Sequence, residues 1–420
     1  MHQSIHNTGQ NSLDLAPLGT NTKSSAALIG APALQGVAFS QFEGAKKTPD
    51  LKAIRANRAL RYEMQYTARA LMLQDVGLSG KLTLKQLNKA HRVTKCRMVR
   101  VATDVSLHKS TAHGTCFYGG LAVCGSVWGC PVCASKIQER RRAEVSTAIN
   151  AAYADDLQCS MLTLTFPHYH FDTCSDLLKR QTKALTSFRA SRAYRALRES
   201  LGYVGLIRAL EVVHGGNGWH PHTHEIWFHS VLSARRKAVF LSTIRALWFT
   251  ACWKADLVPE DKIQAFKKHA VDIRFNCSCG DYLAKTADQS YWGADSEITR
   301  TSLKSNSKGS SPFALLEHAN TDESGSIKSG SLYVEYLKAF HGKRQLYWTN
   351  GMKDRFLIEE KSDELLATEE QDKSDLLDLI NPLGWEIIRL NKARTHILDL
   401  AETGGTEAVH EWLALHGVIS

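Results

Sequence analysis

In the stretch YVGLIRALEVVHGGNGWHPHTHEIWF (203–228), two runs of β-forming residues meet at a glycine-rich step, a pattern that calls for an antiparallel hairpin. Closing the turn over Gly215 to Gly218 pairs His214 with Trp219, and counting back from that pair sets Glu211 opposite His222. Alternate residues share one face of a strand, so His220, His222 and His224 project together with Glu211 beside them. Two imidazoles and a carboxylate converging from adjacent strands make a divalent-ion site with coordination positions left for substrate and water. The bland alternative is three histidines exposed on a hairpin; three in alternation facing a carboxylate favour the metal. His220 stands apart, because a His-Pro step serves equally to orient the strand.

The rest of the chain supplies a frame for that hairpin. At 420 residues with 43% apolar side chains there is room for two or three domains with a real core. SMLTLTFPH (160–168) alternates as a strand with Leu162, Leu164 and Phe166 on one face, and AVDIRF (270–275) reads as another. Helices are expected over Asp176–Ser200, Arg235–Trp253 and DYLAKTADQ (281–289). Strands between helices, with an obligatory hairpin, predict an α+β fold built on a central antiparallel sheet. Residues 1–50 read as a flexible tail. From Leu51 to about Gln86 the composition is helical, with Lys52, Arg55, Arg58 and Arg61 on a solvated or a DNA-facing side. GGTEAVHEWLALHG (404–417) predicts a closing helix. The expected divisions are the tail (1–50), a helical and zinc-binding region (51–140), a catalytic domain (141–316) and a C-terminal accessory region (317–420).

Neither a secretory signal nor an apolar window of about 18 residues is visible, so a cytoplasmic protein off the membrane is expected. There the ten cysteines stay reduced and clustered ones read as metal ligands. Cys130 and Cys133 form a Cys-x-x-Cys pair with Cys124 just ahead, close to zinc-loop spacing; Cys96, Cys116 and His113 compete as fourth ligand. A redox pair or plain buried thiols are the alternatives. The formal charge of +10 fits a polyanionic partner and equally a soluble surface. No phosphate-binding loop exists, since Gly80-Lys81 is followed by Leu82, and this argues against an ATP-driven motor.

Tyr282 and Lys285 lie three apart on the expected short helix, where an ammonium and a nearby metal offset the poor nucleophilicity of a phenol. With this the order of motifs is complete. CGSVWGCPVCASKI, LTLTFPH, GWHPHTHEIW, YLAK, SPFALL and RQLYWTNGM, between Cys96 and Phe356, together resemble the rolling-circle plasmid replication initiators of the HUH endonuclease superfamily, in the branch with a cysteine loop before the catalytic domain.

The resemblance implies a palm-like sheet and DNA nicking and joining, with His222 and His224 as the metal pair, Tyr282 the nucleophile and Lys285 its helper. The hairpin count adds Glu211 to the divalent ion (Mg or Mn), and the cysteine spacing gives Cys124, Cys130, Cys133 and Cys96 (or Cys116) as ligands of a structural zinc. The substrate it implies is plasmid origin DNA, single-stranded or hairpin, with a host helicase and DNA polymerase as partners; Arg189, Arg192, Arg195, Lys304 and Lys308 are candidate phosphate contacts or solvated charges. The sequence departs from the family pattern at Thr223, where a hydrophobic residue is usual, and at Ser278, where some members place a glutamate that ends the replication round. Tyr291 falls half a turn out of phase with Tyr282 and is not a second nucleophile. A single-tyrosine transposase or relaxase, a zinc-dependent DNA-binding regulator and a metal hydrolase using water remain as rivals.

Overall fold

The computed structural model describes residues 51–277, 309–321, 325–369 and 373–418, which belong to one compact unit, Pro49–Ser420. The expected tail (1–50) and the residues Tyr282, Lys285, Tyr291, Lys304 and Lys308 lie outside the described residues.

Elements run in the order α1 (Leu51–Gln74), a one-turn α2 (Leu84–Leu87), β1 (Val105–Ser110), β2 (Cys116–Tyr118), α3 (Pro131–Ala154), β3 (Gln158–Leu164), α4 (Cys174–Ala190), α5 (Arg192–Leu201), β4 (Gly205–Gly215), β5 (Gly218–His229), α6 (Ala234–Trp253), α7 (Ile263–His269) and β6 (Val271–Phe275). After residue 308 come α8 (Pro312–Ala319), α9 (Ser326–Ala339), β7 (Leu346–Trp348), α10 (Met352–Arg355), α11 (Asp363–Thr368), β8 (Ser374–Ile380), α12 (Pro382–Leu390) and α13 (Arg394–Leu415). The fold is mixed α+β. Five strands form one antiparallel sheet in the order β6-β3-β5-β4-β7, and three form another in the order β2-β1-β8.

Strand alternation decides what lies on each face of the larger sheet. Leu162, Leu164, Leu206, Leu210, Trp219 and Trp227 share a core with α4, α5 and α6. On the opposite face Cys159, Met161, Ile207, Ile226 and Phe228 pack with Val145, Ala148, Ile149 and Ala152 from the second half of α3. His220, His222, His224 and Glu211 share this second face, farther along the strands than the part covered by α3.

Three expectations are corrected. The single helix over Asp176–Ser200 is two, because Ser191 takes an extended backbone (ψ 145°) and its hydroxyl accepts a hydrogen bond from the Tyr194 amide at 3.1 Å, restarting the helix as an N-cap. The first helix stops at Gln74 rather than near Gln86, and Gly77 follows with φ of +67°.

The divisions at 140 and 316 do not separate structural units. Helix α3 runs through the first; beyond the second, β7 is the edge strand of the five-stranded sheet and β8 pairs with β1. Strands β1, β2 and β8 with α12 and α13 enclose a second core that includes Val105, Leu107, Tyr118, Ile380, Trp385 and Ile397. The arginines of α1 are tied down as well: Arg55 meets Glu402 at 2.7 Å, Arg58 bonds to Asp399 and Glu402, and Arg61 donates to the Ser135 hydroxyl at 2.6 Å. Among the described residues no helix is long and apolar enough to cross a membrane.

Candidate metal centre

The β4–β5 hairpin has the register counted from its turn: His214 pairs with Trp219, Glu211 with His222 and Ala209 with His224. Its closing residue Gly218 has φ of +87°, and a Cβ there would meet the Tyr169 carbonyl and the His170 backbone at 2.9 Å, so glycine is required both for the turn and for the close approach of the following loop. Within this frame Nε2 of His222 lies 3.3 Å and Nε2 of His224 3.6 Å from Oε2 of Glu211.

The ring nitrogens facing away from Glu211 explain why those facing it can bind a cation. Nδ1 of His222 lies 3.1 Å from the His220 carbonyl, which can only accept, so this nitrogen carries a proton; Nε2 donates to Glu211 when the ring is charged and, when the ring is neutral, offers its lone pair to a cation held beside Glu211. Nδ1 of His224 lies 2.9 Å from the Thr163 hydroxyl, an oxygen able to accept in the same way. Oε1 of Glu211 is buried without a hydrogen-bond partner among the described residues. A divalent ion would supply that partner, and donor separations of 3.3–3.6 Å match the edge of a coordination shell with bonds of about 2.0–2.2 Å. The three side chains keep 14–22% of their surface exposed, so the set is not sealed from solvent, as a substrate-binding ion requires.

His220 does not join this group. Its Nε2 bonds to the Thr165 hydroxyl, its ring stacks on His168 at 4.6 Å, and burial pushes its pKa down to about 3, which keeps it neutral. Thr163, Thr165 and His168 were not anticipated as site residues. The alternation that sends Leu162 and Leu164 to the core sends Thr163 to the histidine face, which is the signal by which it could have been found.

Burial works against ionisation of Glu211, but the charges and hydrogen bonds of His224 and His222 outweigh it and hold the pKa at about 2. For His222, burial opposes the charged form while the bond to Glu211 and its charge favour it, and the balance raises its pKa above the ordinary value. The signs lead to a test. In the metal-free protein His222 contributes stability that is full below its unfolded pKa and is lost as pH rises through its raised folded value. Metal binding runs the other way, because an imidazolium cannot ligate. Divalent-ion affinity measured by calorimetry is therefore expected to fall steeply as pH drops through the raised His222 value, with Glu211 still ionised; affinity flat across that range would rule out His222 as a ligand.

A second donor set is closed and internal. Cys96, Cys124, Cys130 and Cys133 are all buried, with Sγ–Sγ distances of 3.5 Å (Cys96–Cys133) and 3.7 Å (Cys124–Cys133 and Cys130–Cys96). Four thiolates at about 2.3 Å from a tetrahedral ion stand about 3.8 Å apart, so this group fits a metal such as zinc. The Gln65 side-chain amide donates to Cys130 Sγ at 3.2 Å and the Ser126 amide to Cys124 Sγ at 3.4 Å, both favouring thiolate. Without an ion the four thiols share their protons unequally: hydrogen bonds from Cys124, Cys130 and Cys96 hold Cys133 well below the ordinary range, while its neighbours' hydrogen bonds with burial push Cys124, and burial with the bonds of Cys133 and Cys96 pushes Cys130, well above it. The fourth cysteine is thus Cys96. Cys116 lies on β2, where its amide donates to Glu402 at 2.7 Å, and His113 is not part of the group.

The arginines expected to contact phosphate divide. Arg189 bonds to the fully buried carboxylate of Glu225, which also accepts from the Trp227 indole at 2.9 Å; the guanidinium compensates an internal charge and is not an open phosphate contact. Arg192 and Arg195 are exposed on α5, one of the helices covering the sheet face away from Glu211.

Comparison with known proteins gives two curated relatives. The chain is similar to "Protein rep" of Streptomyces lividans, with 31% identity over 296 residues, covering 57% of this chain and 64% of that protein. It is also similar to a "Neomycin resistance protein" of Streptomyces cyanogenus, with 31% identity over 141 residues, covering 28% of this chain and 32% of that one. The chain thus spans less than two thirds of the length of either relative. No protein-family model matches it, and no solved structure matches it.

Proposed function

We propose that the protein is a plasmid replication initiator that nicks and rejoins single-stranded origin DNA through a tyrosine. The observation that carries this reading is the convergence of His222, His224 and Glu211 on one point at the open face of the hairpin, with an orphaned carboxylate oxygen among them. The likeness to a protein named rep, the motif order and the formal charge of +10 support it.

Glu211, His222 and His224 would hold the divalent ion, which when bound supplies Lewis acidity to the scissile phosphate. The chain's own residues do the rest. Thr163 and the His220 carbonyl fix the two imidazoles, and Glu211 brings the negative charge that keeps a cation beside a polyanion. Tyr282, assigned by resemblance, forms a bond from its phenolic oxygen to phosphorus as the bond from phosphorus to the 3' oxygen breaks. The phenolic proton is lost and the leaving oxygen gains one. A 5'-phosphotyrosine and a 3'-hydroxyl result, and because one phosphoester replaces another, rejoining needs no nucleotide hydrolysis. Lys285 balances the charge. The four buried cysteines would hold a structural zinc.

Incubation with labelled single-stranded origin DNA and a divalent ion is expected to yield a covalent adduct that survives denaturation. In the Tyr282→Phe protein the adduct is absent while DNA binding persists. Cleavage with no adduct at any stage would leave a hydrolase that uses water, and an adduct mapped to another residue would remove Tyr282.

A further inference from the structure

Beside the metal centre the loop His168-Tyr169-His170-Phe171-Asp172 presents an aromatic surface that the chemistry above does not use. Phe171 is 69% exposed, an unfavourable place for a large apolar ring, and it lies parallel to Tyr169 (ring centroids 5.2 Å apart, 8° between planes). The stack is held from behind. The Tyr169 hydroxyl donates to Asp261 at 3.1 Å and the Lys262 ammonium stands 5.8 Å from its ring centre. The backbone is pinned too: the Tyr169 amide donates to Asp172 at 2.8 Å, Arg180 donates to the other oxygen of Asp172 at 2.8 Å, and Gly218 at the hairpin tip fits against Tyr169 and His170. The nearby carboxylates, Asp172 and Asp261, are both occupied by these bonds.

The position of this loop indicates what it receives. It begins at His168, whose ring lies on His220, and the His220 ring is 5.1 Å from that of the ligand His222. Phe171 follows only three residues after His168, at most about 11 Å along an extended chain. An occupant of the exposed ring is thereby kept within a few nucleotides' span of whatever the metal centre holds. A flat, exposed π-surface suits an unpaired nucleobase, whereas a base in a duplex is already stacked on both sides.

We infer that Phe171, backed by Tyr169, is a stacking platform for an unpaired base of single-stranded DNA within a few nucleotides of the reacting phosphate. This deepens the proposed function and rests on it for the identity of the ligand. The platform holds a base near the metal centre, positions the strand across the two histidines, and discriminates against duplex DNA without reading sequence.

The probe is a fluorescent twelve-nucleotide oligothymidylate, titrated by anisotropy into the full chain in the presence of chelator, so that neither metal nor cleavage contributes. Phe171→Ala is expected to weaken binding by about 5- to 150-fold. The slope of affinity against salt should not change, because no phosphate contact is lost. Phe171→Trp should restore affinity, and a duplex of the same length should respond little to either variant.

Wild-type affinity in Phe171→Ala, an equal loss on duplex, or wild-type protein that does not bind the probe would each overturn the platform. Failure of the proposed function has a different signature: wild-type protein that forms no adduct and cuts no DNA while the Phe171 effect persists. Intact nicking with unchanged oligonucleotide affinity in Phe171→Ala sinks the platform alone.

Discussion

If the proposed nicking reaction is the protein's own, alanine at both His222 and His224 is expected to reduce divalent-ion-dependent cleavage of single-stranded origin DNA by about 10³-fold or more, the scale set by losing a metal's several kcal/mol of transition-state stabilisation. The fold should tolerate the change, since both rings sit at the open face, with side chains 14% and 15% exposed, rather than in either packed core. Glu211→Gln is a finer probe. It retains shape and one acceptor oxygen but removes the charge, so metal affinity should drop more than DNA affinity. His220→Ala should be the milder histidine variant, because its Nε2 is committed to Thr165 and it lies outside the ligand group. Cleavage at the wild-type rate in chelator, or in the double variant, would remove the metal centre from the mechanism. DNA binding measured in parallel separates loss of chemistry from loss of substrate.

Cys130→Ser is expected to abolish tight zinc binding and to lower the thermal midpoint sharply. A structural zinc in small peptides is worth about 10–16 kcal/mol of apparent binding energy, comparable with the whole stability of a domain. Here Cys130 is fully buried at the start of α3, packs among α1 and the cysteine loop, and receives the Gln65 amide, so no solvent replaces a lost ligand. The control is Cys116→Ser. Cys116 is equally buried but lies outside the tetrathiolate group, and its replacement should leave one zinc per chain by elemental analysis. Protein that is folded with an unchanged midpoint and no zinc would defeat the assignment. Zinc retained in Cys96→Ser but lost in Cys116→Ser would make Cys116 the fourth ligand instead of Cys96.

The centre of the structure was legible because its rules are local. A tight turn sets the register of a hairpin, register sets which side chains face each other, and period two sets which face they share; Glu211 opposite His222 follows from these steps. The Cys-x-x-Cys pair with Cys124 is legible for the same reason, whereas choosing Cys96 over Cys116 required knowing that β2 carries Cys116 away to pair with β1. Long-range partners could not be read. The carboxylate awaiting Arg189 is Glu225, which looks like an ordinary strand residue until alternation and helix packing bury it beside Trp227. Nor does the three-residue segment β7 announce that it completes the larger sheet; its aromatic residues suit a strand, but only the pairing with β4 places it at that edge.

The smaller sheet has its own consequence for how the protein is made. Its middle strand, β1, pairs on one side with β2 just after it and on the other with β8, and the same closure joins Arg55 to Glu402 across 347 residues of chain. During translation all the residues of both donor clusters leave the ribosome long before β8, so metal loading can precede completion of the fold. Until then β1 is an unpaired edge, and Val105, Leu107 and Tyr118 lack the Ile380 and Trp385 side chains that cover them. A chain whose synthesis halts before residue 374 would carry every ligand and still expose that edge and that core. Its expected fate is capture by chaperones or aggregation rather than persistence as a shortened, folded protein.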